Sequence, residues 1–130
     1  MTPNIPPIFF DEARDLLAVF QRGLLDRGAR DAEAINALFR SAHTLKGAAG
    51  LFSLEGVVQF AHAAEAVLES VRAGTVALDD ATVKALLEAH DELERLIDEV
   101  AQGHERQGDQ KLVQVLLARA GGAAVPAAPV

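Results

Sequence analysis

Four residues in this chain have side chains and spacings suited to chemistry: His43 and Lys46 in one stretch, His62 and Glu65 in another. Within each pair the members stand three positions apart, which makes them neighbours on one face of a helix. A neutral imidazole carries one protonated nitrogen and one lone pair. A carboxylate that accepts from the protonated nitrogen fixes the tautomer and makes the other nitrogen the better nucleophile. It also steadies the ring as positive charge develops on it. Lys46 adds a point charge able to hold the oxygens of an anionic group such as a phosphoryl. Transfer of such a group asks for positioning and charge neutralisation more than for covalent help.

These residues need elements to carry them. The stretch from Asp31 to about Leu51 reads as one amphipathic helix, at about 100° per residue. Ala34, Leu38, Leu45, Ala48 and Phe52 gather on one side, with Ala42 and Ala49 at its flank, while His43 lies nearly opposite. Asn36, Gly47 and Gly50 fall on the histidine's side. An imidazole thus stands on the wet face, with a cation beside it and bare backbone above it. Glycine within a helix costs about 1 kcal/mol relative to alanine, and alanine is used freely nearby. Gly47 therefore reads as a place where something must come close to the backbone. For Gly50, close approach and a helix C-terminal cap are equal readings, and packing of another helix would explain either glycine. A histidine acceptor on a convex wall, with no pocket, requires pocket and metal ion to come from the partner protein.

The rest of the chain supplies a frame. Half of the 130 residues are hydrophobic, Ala and Leu dominate, Trp and Tyr are absent, and strand-like alternation is hard to find. That is an all-helical composition, of a length that suits one domain. Having no cysteine excludes disulfides and thiolate metal sites. No apolar run approaches the ~20 residues that span a bilayer, and no basic-then-apolar leader opens the chain. The expected location is cytoplasmic, without membrane insertion. A net charge of −7 argues against nucleic acid and anionic membranes.

After an extended lead-in at Pro3, Pro6 and Pro7, a first helix is predicted from Ile8 to about Arg27, stopped by Gly28. The second is capped by Asp31. A corner at Phe52 and Ser53 leads to a third, Leu54 to Ala73, capped by Ser53 and ended by Gly74. Asp79 or Asp80 caps a fourth that runs to about Gln102, and a shorter fifth spans about Asp109 to Ala120. Short connections make consecutive helices antiparallel neighbours. The fold class is therefore all-α: an antiparallel up-down four-helix bundle with a fifth, shorter C-terminal helix. Residues 1–120 form the domain, and 121–130, uncharged Gly, Ala, Pro and Val, read as a flexible linker towards further domains. With the second and third helices antiparallel about Phe52, His43 lies nine residues before the corner and Glu65 thirteen after it. Glu65 then comes within reach of the His43 ring.

The run Ala42-His43-Thr44-Leu45-Lys46-Gly47 resembles the signature of histidine phosphotransfer (HPt) domains. Phe10 to Leu17, Asn36 to His43 and His62-Ala63-Ala64-Glu65 extend that resemblance over nearly the whole chain. It is nearest to the N-terminal phosphotransfer domain of chemotaxis-type histidine kinases, the CheA family. The resemblance implies that His43 is phosphorylated, that Glu65 partners its ring, and that Lys46 and His62 support the cluster. It further implies a histidine kinase catalytic domain as phosphoryl donor and a CheY-like response-regulator receiver domain as acceptor. ATP and Mg are then expected on the kinase and Mg on the receiver, with no cofactor on this chain. Alone it is a substrate and relay rather than an enzyme, and a monomer. Partners are expected to dock across Phe39, Arg40, Gly47 and Gly50, with Val58 and His62 from the adjacent helix. Ala48 departs from the second glycine that often follows Gly47 in those kinases.

Blander readings compete. His43 and Lys46 also suit a solvated surface, Glu65 a surface acid, and His62 a partly buried histidine bonded to a neighbour. His90 reads as a packed core histidine, and His104 has no assigned role. His43, His62 and Glu65 would alternatively supply three ligands to a metal in the bundle. A purely structural bundle would leave Gly47 unexplained.

Overall fold

The computed structural model of the protein describes residues 4–121 apart from residues 27 and 29. Of the linker predicted over 121–130, all but Gly121 lies outside the described residues, as do the first three residues and Arg27 at the predicted end of the first helix; Gly121 itself is the C-cap of the last helix. Among the described residues five helices follow in order: α1 (Pro7–Leu25), α2 (Ala32–Leu51), α3 (Glu55–Arg72), α4 (Asp80–Ala101) and α5 (Gln110–Ala120). No strand occurs among the described residues.

The helix starts follow from local chemistry. Asp31, Asp79 and Asp109 each accept from backbone N–H groups of the first turn of α2, α4 and α5, satisfying donors that have no partner inside the helix. Pro7 opens α1 with its fixed φ, at a position where a missing N–H is harmless. The first helix stops at Leu25, before the predicted glycine. The chain leaves it extended at Asp26, whose carboxylate accepts from the Gly28 N–H.

Four helices form a ring in which α1 touches α2 and α4, while α3 touches α2 and α4; α5 packs on α3 and α4. Buried residues recur at helical spacing along each inner face, from Phe9, Leu17 and Phe20 through Val57, Phe60 and Leu68 to Leu86, Leu93 and Ile97. On α2 the buried stripe is rotated from the predicted one. Leu38, Ser41, Ala42, Leu45 and Ala49 are buried, whereas Ala48 and Phe52 are half-buried. The small residues Ala42 and Ala49 are what lets α2 approach its neighbours closely. Helix α3 is flanked by α2, α4 and α5, and so buries residues almost all round. Its polar side chains His62, Glu65, Glu69 and Arg72 recur every three or four residues along one remaining stripe, beside α2.

A buried charge ties α5 to the frame. Glu92 on α4 is 5% exposed and accepts from Arg95 Nε (3.0 Å), Arg106 Nη1 (3.0 Å) and the Asp109 N–H (2.9 Å). Burial alone raises its pKa, yet these donors outweigh it and hold the carboxyl below its ordinary range. Arg106 in turn grips Glu99, so the α4–α5 loop is fixed at both ends. That loop crosses α3 at Gly56, where a Cβ would stand 2.4 Å from the Arg106 carbonyl oxygen. No other residue type fits there.

The α2–α3 corner departs from the predicted cap. Ser53 does not cap α3. It takes φ 55°, the left-handed region, while Leu54 occupies the capping position without a side-chain bond. The Ser53 N–H donates to Gly50 O and the Leu54 N–H to Ala49 O (3.2 and 3.1 Å), with Leu54 and Ala49 both buried. This is a Schellman ending, which closes the helix through a left-handed residue. The matching positions after α3 and α4 are Gly74 and Gly103. A left-handed L-residue costs roughly 1–2 kcal/mol, offset in part by glycine's greater freedom when unfolded. Ser53→Gly is therefore expected to stabilise the domain by about 0.5–1 kcal/mol. A rise in the urea midpoint at constant slope checks it; a fall would mean that the serine makes a contact worth more than the strain.

Candidate functional site

The site lies where the outer stripes of α2 and α3 run side by side. Both helices leave the same corner in opposite directions, so residues advancing along α2 meet residues retreating along α3. Asn36 meets Arg72, and His43 meets Glu65. The His43 side chain is 63% exposed and that of Glu65 only 12%. His43 Nδ1 and Glu65 Oε2 are in direct hydrogen-bond contact. The second carboxylate oxygen, Oε1, accepts from Lys46 Nζ at 2.6 Å. Both oxygens are thereby engaged by α2, one by a ring and one by a cation one turn further along.

The electrostatics follow. Burial alone raises the Glu65 pKa, but hydrogen bonds from Lys46 and His43, reinforced by their charges, lower it overall. The carboxylate therefore stays ionised throughout the neutral range. An ionised acceptor at Nδ1 selects the tautomer with the proton on that nitrogen. The lone pair then sits on Nε2, on the open side of the ring. The arrangement offers one nucleophilic nitrogen to solvent, backed by a fixed anion.

Lys46 is not a solvated charge, since it is held on Glu65 and is 29% exposed. His62 is neither buried nor hydrogen-bonded to Glu65: its side chain is 59% exposed, with Nδ1 3.9 Å from Glu65 Oε1. It flanks the cluster as a second exposed ring. Gly47 and Gly50 are exposed, and a Cβ on either would meet nothing within 4 Å. Helix packing thus explains neither, and Gly50 is not the cap, since α2 runs on to Leu51. Arg40 is exposed and Val58 half-buried. Gly50, Ser53, Val58 and His62 share the rim of a shallow open groove, which continues the wall towards the corner.

The three-ligand metal grouping is not assembled as imagined, because Lys46 occupies one Glu65 oxygen and His43 the other. Among the described residues, the side chains close enough to share one ion are His90, Asp91 and Glu94 on α4, which lies diagonally across the bundle from α2. His90 is 1% exposed, as expected of a core histidine, and its Nδ1 contacts Asp91 at 3.0 Å.

Sequence reasoning missed one member of this surface, Arg72, and the contact that a second, Phe39, makes with His43. Phe39, predicted only as a docking residue, stacks on His43 with ring planes 8° apart and centroids 6.0 Å apart. The Arg72 guanidinium lies over the Phe39 ring, 4.1 Å from its centroid. Phe39 stands one turn before His43, a spacing that signals contact; Arg72 could have been found only by carrying the α2–α3 register to the end of the helix.

Comparison with known proteins adds to this geometry. Residues 7–103 match the Hpt domain family. Among curated proteins, the chemotaxis protein CheA of Cereibacter sphaeroides is 39% identical over 108 residues, covering 78% of this chain and 16% of that protein. CheA of Rhizobium meliloti (strain 1021) is 38% identical over 102 residues, covering 77% of this chain and 14% of the relative. The chain therefore spans about one sixth of the length of the relatives it matches. Among solved structures, the phosphorylated P1 domain of CheA3 in complex with CheY6 from R. sphaeroides superposes with a TM-score of 0.80 at 26% identity. That match covers 90% of this chain and 95% of the other.

Proposed function

The chain belongs to the Hpt domain family, and from that premise we propose that it is the phosphotransfer module of a chemotaxis-type histidine kinase, with His43 as the residue that carries the phosphoryl group. The observation that supports this reading best is the exposed His43 ring held through Nδ1 by the ionised Glu65. Nε2 attacks the γ-phosphorus of ATP held by a kinase catalytic domain. The N–P bond forms as the bond to the bridging oxygen breaks, and that electron pair leaves with ADP. The ring becomes an imidazolium whose Nδ1 proton stays on the Glu65 side, and the carboxylate stabilises the new charge. A cationic ring is also a good leaving group. When a receiver aspartate attacks phosphorus, the N–P electron pair returns to Nε2 and the resting tautomer is restored.

Lys46 stands one turn from His43, near enough to turn from Glu65 towards phosphoryl oxygens once they arrive. His62 lines the same approach. Phe39, Arg40, Gly47, Gly50 and Val58 are the surface on which both partners dock, and the open space above Gly47 and Gly50 admits a close backbone or a loop. Nucleotide and Mg belong to those partners, whose clefts supply the enclosure that this convex wall lacks. A module of this kind works in the cytoplasm, and no described helix is long and apolar enough to cross a membrane.

The test is incubation of the chain with a CheA-type kinase catalytic domain, Mg and labelled ATP, followed by addition of a CheY-like receiver. The expected result is label that is stable in alkali, lost in acid, and discharged by the receiver. Label on a hydroxyl residue, or none, would sink the reading.

A further inference from the structure

One hydrogen bond at Nδ1 still lets the His43 ring rock about its Cβ–Cγ bond within the tolerance of that contact. Any such turn swings the Nε2 lone pair away from the line along which a phosphorus must approach. A site open to solvent has no pocket wall to prevent this, so something on the surface must. Phe39 lies nearly parallel to the ring, within the centroid range of offset-stacked pairs. Phe39 is itself held, because the Arg72 guanidinium lies over it. Arg72 is anchored in turn, its Nη2 on Glu69 of its own helix and its Nη1 on Asn36 Oδ1 of α2 at 3.4 Å. The contacts form a belt that starts on α3 at Arg72, crosses to Phe39 and His43 on α2, and returns to α3 at Glu65.

We infer that Arg72, acting through Phe39, is a positioning residue that sets the plane of the His43 ring, so that Glu65 fixes one edge and the Arg72–Phe39 shelf fixes one face. The inference rests on the proposed phosphotransfer at His43. It adds two residues to that chemistry, neither of which touches the transferring group. It also gives Phe39 a duty besides docking. Arg72 is exposed in the last turn of α3, so its removal leaves the core intact.

The experiment compares wild type, Arg72→Ala, Phe39→Leu and Phe39→Tyr with a CheA-type kinase domain and ATP as donor, over a range of kinase concentrations. Proton and nitrogen NMR of the unphosphorylated chain report the His43 ring-proton shifts and tautomer alongside. Arg72→Ala is expected to lower the saturating rate roughly three- to fivefold with the half-saturating kinase concentration unchanged, and Phe39→Leu, which also alters the docking surface, to lower the saturating rate at least as much. Phe39→Tyr, which keeps the ring, loses less of the saturating rate than Phe39→Leu. In Arg72→Ala the tautomer set by Glu65 is kept, while the His43 ring protons move from the shifts that stacking on Phe39 gives them. Wild-type rates in Arg72→Ala and Phe39→Leu overturn the shelf. So does a loss confined to the half-saturating concentration, which assigns the pair to docking, or a slower rate in Arg72→Ala with unmoved His43 ring protons. A wild-type chain that takes no label overturns the phosphotransfer reading itself, a result distinct from all of these.

Discussion

His43→Gln is expected to abolish phosphoryl uptake outright while leaving helix content and the unfolding midpoint where they were. Glutamine is close in length and lies on the solvent side of α2, where the native ring is 63% exposed, so no core contact is lost. Its amide nitrogen has no lone pair able to attack phosphorus. The neighbours offer no substitute: His62 is exposed, but at 3.9 Å from Glu65 it lacks a fixed tautomer. The assay is the acid-labile label described above, read beside circular dichroism. Substantial labelling of the His43→Gln chain would move the acceptor elsewhere, His62 being the first place to look.

Glu65→Ala is expected to have the second-largest effect. Groups that orient a working histidine are worth from about tenfold in open settings to about 10⁴-fold in enclosed ones. This wall is open, so a loss of roughly tenfold to a hundredfold in labelling rate is the expected outcome. Glu65→Gln, which keeps an acceptor but not the charge, should fall between. The same carboxylate contributes modestly to stability, about 1 kcal/mol, since its partners are partly solvated. The sign with pH is fixed by its lowered folded pKa. The contribution is fully present above the ordinary carboxylate range and is lost as pH falls through the lowered value. Urea unfolding of wild type and Glu65→Ala should therefore differ at pH 7 and converge in strong acid. A gap that widened on acidification would contradict the ionised resting state, and an unslowed Glu65→Ala would remove the carboxylate from the mechanism.

Much of this architecture is written locally. Asp31, Asp79 and Asp109 announce three helix starts because a short acid before an apolar period can do little else. Gly74 marks an end for the opposite reason. The His43–Glu65 contact was within reach of counting residues from the corner, because two antiparallel helices sharing a short turn have almost no freedom in register. What escaped was set by tertiary partners. Ser53 reads as a cap, and only the burial of Ala49 and Leu54 makes a left-handed serine tolerable there. Glu92 reads as one more solvated acid on a charged helix, and becomes a buried anchor only when Arg106 arrives from beyond the next turn. The pairing of Arg72 with Phe39 depends on both the register and a side-chain rotamer. Spacing within one helix supplies neither.

The crowding of α3 has a consequence for how this domain can vary over time. Three neighbours claim most of its circumference, and its free strip holds His62, Glu65, Glu69 and Arg72. A mutation in this helix thus either jams the interior or alters the working strip, and few places are left where drift is silent. If the chain serves a receiver as proposed, adaptation to a new one has little room on α3 and would be written mainly on the outward residues of α2, while the far sides of α1 and α4 are free to wander.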